Sequence, residues 1–420
     1  MNIDRLLGDL DTLAGFGATT AGGADRPSFG AADLAARQWL AAQGEQAGLH
    51  HRVDPAGNVW LRLDPDPGTD AGGEPAVWTG SHLDTVPDGG RLDGALGVLA
   101  ALEVLRSLRE ARVPLRRPVE AVAFSDEEGA YLGFLGSRAA IEGLGVEDVA
   151  GLRGREGDRL VDALTAAGLA AEGLPDARID PARVAAYVEL HIEQGAVLEQ
   201  RGIPLGVVTD IVGLARGSVV FEGRADHAGT TPLALRRDAL RGAAELVTEL
   251  AGLPAAVGAP DAVITCGRLE VAPGADNVVP ARVRLHLDVR DRDRAAILAL
   301  GHEVARRARR AADTHDLEVR VAWDTLTEPV PLHPGLQALA VEVATELGIE
   351  HHAMPSGAGH DAQVVARAVP TGMLFVPSIG GRSHTAEEAT RPEDLVRGAQ
   401  VLEQVVRRLA TMPASQLPKR

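Results

Sequence analysis

The segment VEAVAFSDEEG, residues 119–129, carries an apolar run into three consecutive carboxylates, Asp126, Glu127 and Glu128, and then turns at a glycine. Adjacent carboxylates repel one another, so such a cluster makes chemical sense where cations neutralise part of its charge. Other apolar runs end in a comparable way. AVWTG (76–80) leads into SHLDTVPDGGRLDG, which supplies His82, Asp84 and Asp93. VAAYVEL (184–190) leads into HIEQG with His191, and GMLFVPS (372–378) leads through IGGRSH to His384. Imidazoles and carboxylates without thiolates suit divalent cations. Three histidines and two carboxylates exceed the needs of one open catalytic ion, and suffice for two ions that share a carboxylate. Taken singly, each residue is unremarkable, because a histidine after a strand is more often a loop or core residue and an acid pair there is usually a solvated turn. Their recurrence at one kind of position, the carboxyl end of a strand, carries the reading. Asp84 cannot face the same metal as His82 within an extended strand, and is read as a partner for the other ring nitrogen.

These residues need a scaffold that brings strand ends together. ALGVLAALEVLRSLREA (95–111) is strongly helical and lies between the first two strands. Strands alternating with helices predict an α/β fold with a largely parallel mixed sheet covered by helices. The Ala-rich stretch 164–182 reads as a linker around a short helix. Residues 212–325 follow another order: strands at 217–227, 262–271, 281–291 and 317–323, with helices at 238–253 and 294–315. That βαββαβ succession is a ferredoxin-like α+β unit. The chain then returns to a helix at 334–348, a helix in GHDAQVVARAV, the strand at 372–378 and a long helix from Pro392. The expected division is a discontinuous first domain, 1–211 and 326–420, interrupted by an inserted domain, 212–325.

Composition bounds the rest. The chain has 420 residues, enough for two or three domains at ~150 residues each. A formal charge of −17 argues against nucleic acid or an anionic membrane as a partner. The single cysteine, Cys266, excludes disulfide and cysteine-rich metal frameworks. The start, MNIDRLLGDLDTL, reads as an amphipathic helix and not as a signal peptide. No run approaches the ~20 apolar residues of a membrane span. A soluble cytoplasmic protein is expected.

Taken in order, GSHLDTVPDGG…LDG, FSDEEG, ELHIEQG, ADHAGTTP…RRDAL, NVVP…LDVR and SGAGHDA…FVPS…GRSH resemble the amidase/hydantoinase/carbamoylase group of the dinuclear-zinc aminoacylase and carboxypeptidase superfamily. The match runs from about Gly80 to Glu388. It implies a zinc-exopeptidase-like catalytic domain whose insert serves as lid and dimerisation domain. It also implies one metal on His82, Asp93 and His191 and a second on Asp93, Glu128 and His384, with Asp93 bridging. Zinc is the first choice of ion, and manganese, cobalt or nickel would also fit such ligands. Glu127 falls on the general base and Asp84 on the carboxylate that orients His82. Asp126 has no metal role and is read as shaping the turn. Related peptidases place a carboxylate at the position of His191, so this histidine favours the carbamoylase branch.

The resemblance further implies that His227, in ADHAGTTP, stabilises the developing oxyanion from a partner subunit, which requires a homodimer. Arg290 would clamp the substrate carboxylate; read alone, it would be a salt-bridge partner of Asp288 or Asp291. Gln194 and Asn277 match further substrate contacts, Gly359 a close backbone approach to substrate, and Arg236 a weaker candidate contact. His360 and Asp361 are read as ordering their loop. The implied reaction is hydrolysis of the carbamoyl (ureido) C–N bond of an N-carbamoyl-L-amino acid to amino acid, ammonia and carbon dioxide. Allantoate or ureidoglycolate by the same machinery is the alternative, ahead of a dipeptidase or deacylase. A catalytically silent metal-binding protein is disfavoured, because Glu127 has no use in binding alone. One departure stands out: AYLGF (130–134) separates EEG from LGS, about two residues shorter than the group's pattern and without its arginine.

Overall fold

The structure is a computed structural model that describes residues 1–66 and 73–418. The chain divides into two compact units, one of residues 1–209 and 331–420, the other of residues 210–330. In chain order the strands are β1 His50–Val53, β2 Val59–Leu63, β3 Ala76–His82, β4 Val119–Phe124, β5 Val184–Ile192, β6 Leu205–Ile211, β7 Gly213–Glu222, β8 Val263–Ala272, β9 Arg282–Asp291, β10 Glu318–Thr327, β11 Val330–Pro331, β12 His351–Ser356 and β13 Thr371–Val376.

Among the described residues, the large sheet has the order β1-β2-β4-β3-β5-β13-β6-β11, with β12 paired to β6. Its centre, β4-β3-β5-β13, is parallel. The β1–β2, β2–β4 and β13–β6 pairs are antiparallel. The four central strands are buried along their whole length. Helices cover both faces, which is why these strands are near-continuous apolar runs with no alternation. The helix Ala95–Glu110 is itself buried from Ala95 to Leu108. Leu6, Leu10 and Leu13 of the helix Ile3–Ala14 join its core, as do Leu402, Val405 and Leu409 of the helix Pro392–Thr411. Pro392 stands in the first turn of that last helix, where its missing N–H costs nothing.

Two details differ from the sequence reading. Strands β3 and β5 run on to His82 and Ile192, so His82 and His191 sit on the strands and not beyond them. The stretch 164–182 is not a linker: Leu164, Ala171, Leu174 and Ala177 are buried with Leu135, Ala139 and Leu160 in a small second core.

The inserted unit has a four-stranded sheet of order β10-β7-β9-β8, antiparallel throughout. The helices Ala239–Leu250 and Arg294–His315 complete the βαββαβ order. Asp238 and Asp293 cap them, each accepting a backbone N–H two residues ahead. Strand β9 alternates buried and half-buried positions, as a sheet covered on one face should. Val219, Phe221, Leu285 and Leu287 from the strands meet Leu246, Leu300 and Val304 from the helices. The unit extends past the expected 212–325 because β10 continues to Thr327 and β6 runs almost directly into β7.

Candidate metal centre

Register places the first ligands. His82 pairs with Phe124 at the end of β4, and His191 with Phe375 near the end of β13, so both imidazoles emerge at the carboxyl edge of the parallel centre. His82 Nδ1 is 2.9 Å from the Asp84 carbonyl, and His191 Nδ1 is 2.9 Å from the Ile192 carbonyl. A carbonyl only accepts, so each ring carries a proton on Nδ1 and turns Nε2 toward Asp93, where it would bind a metal or, while protonated, donate to the carboxylate. Gly94 allows the rings to sit there: its φ is +64°, and a Cβ would fall 2.5 Å from the His82 ring.

Asp93 lies between two groups of donors. Its Oδ1 is 3.1 Å from His191 Nε2 and 3.5 Å from His82 Nε2, while its Oδ2 is 3.3 Å from His384 Nε2. His384 Nε2 is in turn 3.4 Å from Glu128 Oε1. His82, Asp93 and His191 therefore form one cluster of donor atoms, and Asp93, Glu128 and His384 another. A tetrahedral ion with bonds of 2.0–2.1 Å has ligands about 3.3 Å apart, so the donor spacing fits two ions that share Asp93. Glu127 lies beside both clusters: its Oε2 is 3.7 Å from His82 Nε2, and it forms a further group of donor atoms with His82 and Glu128.

Electrostatics point the same way. Burial raises Glu127 well above the usual carboxylate range, with Glu128, Asp361 and Asp84 adding to the rise. Burial and Asp93 bring Glu128 to about 7. Burial would also raise Asp93, but hydrogen bonds from His191, His384 and His82 hold it well below its ordinary value. All three of those imidazoles are raised, with Asp93 contributing to each. Packed acids that hold protons, beside imidazoles that keep theirs, mark a site short of positive charge, which divalent cations would supply.

The acid loop is built to separate its three carboxylates. Asp126, at φ +53°, accepts the N–H groups of Ala130 (2.7 Å), Tyr131 (3.0 Å) and Leu132 (2.7 Å). It shapes the turn and, among the described residues, belongs to no group of candidate metal donors; burial raises it to about 7. Asp84 departs from expectation. Its carboxylate is 3.8 Å from His82 Nδ1, too long for a hydrogen bond, and accepts Glu128 N–H at 3.0 Å instead. The carbonyl of Asp84 orients His82, and its side chain orients the acid loop.

Sequence reasoning passed over Glu388 and Ser383. Glu388 Oε1 accepts the N–H groups of Leu92 (2.9 Å) and Asp93 (3.0 Å), and its Oε2 is 2.8 Å from Ser383 Oγ. Ser383 Oγ is also 3.1 Å from Asp93 Oδ2. The one signal for Glu388 was an acid four residues beyond a candidate ligand. Gln194, at φ +58°, donates its amide to Asp93 Oδ2 at 2.8 Å, while its Oε1 is buried without a partner. Gly359 packs against Phe134, and a Cβ there would come within 2.9 Å of that ring. His360 lies edge-on to His191 and bonds Ser356 Oγ at 3.0 Å, in keeping with a loop-ordering role.

His227, Asn277, Arg290 and Arg236 belong to the inserted unit. Residues 227 and 278 form an isolated bridge, and the Asn277 carbonyl accepts Ala228 N–H at 2.9 Å, so His227 and Asn277 are neighbours. His227 Nδ1 accepts the N–H groups of Gly229 (3.0 Å) and Thr230 (3.2 Å). The ring proton is therefore on Nε2, an exposed donor. Arg236 donates to the carbonyls of Thr231 (2.9 Å) and Ala228, tying this loop to itself. Arg290 pairs with Asp288 through Nε (2.7 Å) and Nη2 (3.3 Å).

The chain is similar to proteins of known family. The model of peptidase family M20/M25/M40 matches residues 78–408. An N-carbamoyl-L-amino acid amidohydrolase of Geobacillus stearothermophilus is 40% identical over 97% of this chain and 98% of its own. An allantoate amidohydrolase of Escherichia coli is 36% identical over 96% of each chain. A crystal structure of an amidase of the hydantoinase/carbamoylase family from Burkholderia multivorans superposes with a TM-score of 0.88 at 33% identity, covering 98% of both chains.

Proposed function

Since the chain belongs to peptidase family M20/M25/M40, we propose that it is a dinuclear metal amidohydrolase that cleaves the carbamoyl C–N bond of N-carbamoyl-L-amino acids. The observation that carries this is the division of Asp93 between two donor clusters, with the Glu127 carboxylate beside His82 and Glu128. Two divalent cations, zinc first and manganese, cobalt or nickel as alternatives, would be held by His82, Asp93 and His191 and by Asp93, Glu128 and His384, and would polarise the ureido carbonyl and acidify the attacking water. Glu127 takes a proton from that water at a carboxylate oxygen and returns it to the departing nitrogen. The products are the amino acid, ammonia and carbon dioxide. Allantoate hydrolysis is the second reading, favoured by the likeness to the Escherichia coli enzyme.

His227 offers Nε2–H to the oxyanion from the partner subunit of a homodimer. Arg290, its guanidinium oriented by Asp288, meets the substrate carboxylate. Gln194 Oε1 and Asn277 take up the substrate's polar groups, Gly359 allows close backbone approach, and Arg236 holds the His227 loop. β8 is an edge strand with Val263 and Leu269 exposed, and offers a surface for dimerisation. No described helix is long and apolar enough to cross a membrane; the reading assigns the enzyme to the cytoplasm.

Glu127→Gln should keep both ions and lower kcat on N-carbamoyl amino acids by about a hundred- to ten-thousand-fold. Ammonia release and metal analysis of the same preparation test this, and a wild-type rate would remove the base assignment. Sedimentation of the active enzyme tests the trans role of His227, which a fully active monomer would exclude.

A further inference from the structure

Beside Glu128 the first unit holds a cavity of about 510 Å³, within the size range of small-molecule sites. Its apolar lining comes from Phe29, Val86, Pro87, Ala130, Tyr131 and Ala163. The aromatic wall is held in place before any ligand arrives. Phe29 N–H is bound by Asp33 at 2.9 Å, and its ring lies 6.2 Å from that of Tyr131. Tyr131 is fixed at both ends: its N–H by Asp126 at 3.0 Å, and its hydroxyl by Asp158. Gly154 closes on the ring so tightly that a Cβ would come within 2.9 Å of Tyr131 Cε1. Of the polar lining residues, Asp25, Arg155, Glu156 and Asp158 are exposed, and Ser28 and Thr85 are already bonded to backbone groups, which leaves the ring faces of Phe29 and Tyr131 as the apolar wall.

Glu128 belongs to both the metal centre and this cavity. A substrate with its carbamoyl carbon at the centre therefore has its next few atoms beside the cavity. We propose that the cavity receives the amino-acid side chain, and that it selects N-carbamoyl-L-amino acids with large apolar or aromatic side chains. This rests on the carbamoyl-hydrolase reading of the same site. N-carbamoylglycine would leave the cavity unfilled. The second ureido arm of allantoate would bring N–H and carbonyl groups against the ring faces of Phe29 and Tyr131, at the cost of their hydration.

The test is kcat/KM of the metal-loaded enzyme, by ammonia release, on N-carbamoyl-L-phenylalanine, N-carbamoylglycine and allantoate. The phenylalanine derivative should exceed both others by at least about tenfold. Ala163→Phe, which fills the cavity, should lower the phenylalanine-to-glycine ratio by about tenfold or more. Val86→Phe makes the same change from another segment should the first variant not fold. Inhibition of the wild type by L-phenylalanine and by glycine repeats the comparison without a variant, and L-phenylalanine should inhibit more strongly. A flat ratio, a ratio that neither folded variant moves, or equal inhibition would overturn the cavity assignment while carbamoyl hydrolysis stands. Allantoate as the fastest substrate would overturn it too. Failure to turn over any N-carbamoyl amino acid would remove both readings together.

Discussion

The two halves of the metal centre are built differently. His82 and His191 stand on central strands, each with its ring fixed by a backbone carbonyl and its side chain no more than 2% exposed. Glu128 and His384 come from loops; His384 has φ +58° and a side chain 48% exposed. The strand half is preorganised by the sheet itself, whose register cannot slip without inverting every buried side chain. The loop half depends on local devices: Asp126 and Asp84 binding the backbone of the acid loop, and Gln194 and Ser378 bridging the segments before His384. A rigid, closed half beside an open one suits a hydrolytic metal site, because substrate and water would have to reach any bound ion from one side.

Removing one histidine from each half puts this contrast to its hardest test. His191→Ala and His384→Ala should each lower activity by about a thousandfold or more, since each loses several kcal/mol of transition-state stabilisation. They should differ in all else. His384→Ala should retain about one ion per subunit, held by the strand half, and melt within about 0.5 kcal/mol of wild type, as expected at an exposed site. His191→Ala should lose the strand-half ion and about 1–3 kcal/mol of stability, because it leaves Asp93 buried with one donor fewer. Metal analysis and denaturant unfolding of the metal-free proteins decide the matter. Equal metal content and equal stability in the two variants would erase the distinction.

The same contrast explains what could be read in the sequence. The candidate ligands stood out because His82, Asp93, Glu128, His191 and His384 each follow an apolar run, and buried parallel strands are such runs. The first two strands did not. HHRV and VWLRL are short, and β1 is exposed at every position, so neither has a pattern to detect. The roles of Asp84, Ser383 and Glu388 were hidden for another reason. They act on backbone N–H groups or on another side chain distant in sequence, and neither partner is marked by residue type. In 164–182, alanine conceals the packing: three leucines spaced five residues apart show no helical period, yet they pack in the core with Leu135 and Tyr131. The inserted unit was easier, because β9 alternates plainly and its helices begin at Asp238 and Asp293.

Glu388 provides the milder test, because it supports the one ligand that both halves share. Its Oε1 accepts two N–H groups, including that of Asp93, and a Cβ on Gly90 would lie 1.9–2.2 Å from its carboxyl group. Glu388→Ala would leave those N–H groups unpaired in a buried site. Losing such a support costs about 10- to 100-fold in metal affinity, and the loss should fall on both ions. Glu388→Gln keeps an acceptor for the two N–H groups, and its new NH₂ can donate to Ser383 Oγ, which stays free to donate to Asp93. It should therefore recover most of the affinity. Competitive chelator titrations that resolve the two ions measure this. If Gln does as much damage as Ala, the charge of Glu388 matters more than its hydrogen bonds. If only the His384-side ion weakens, Glu388 acts through Ser383 and its loop, and Asp93 takes its position from the strand half alone.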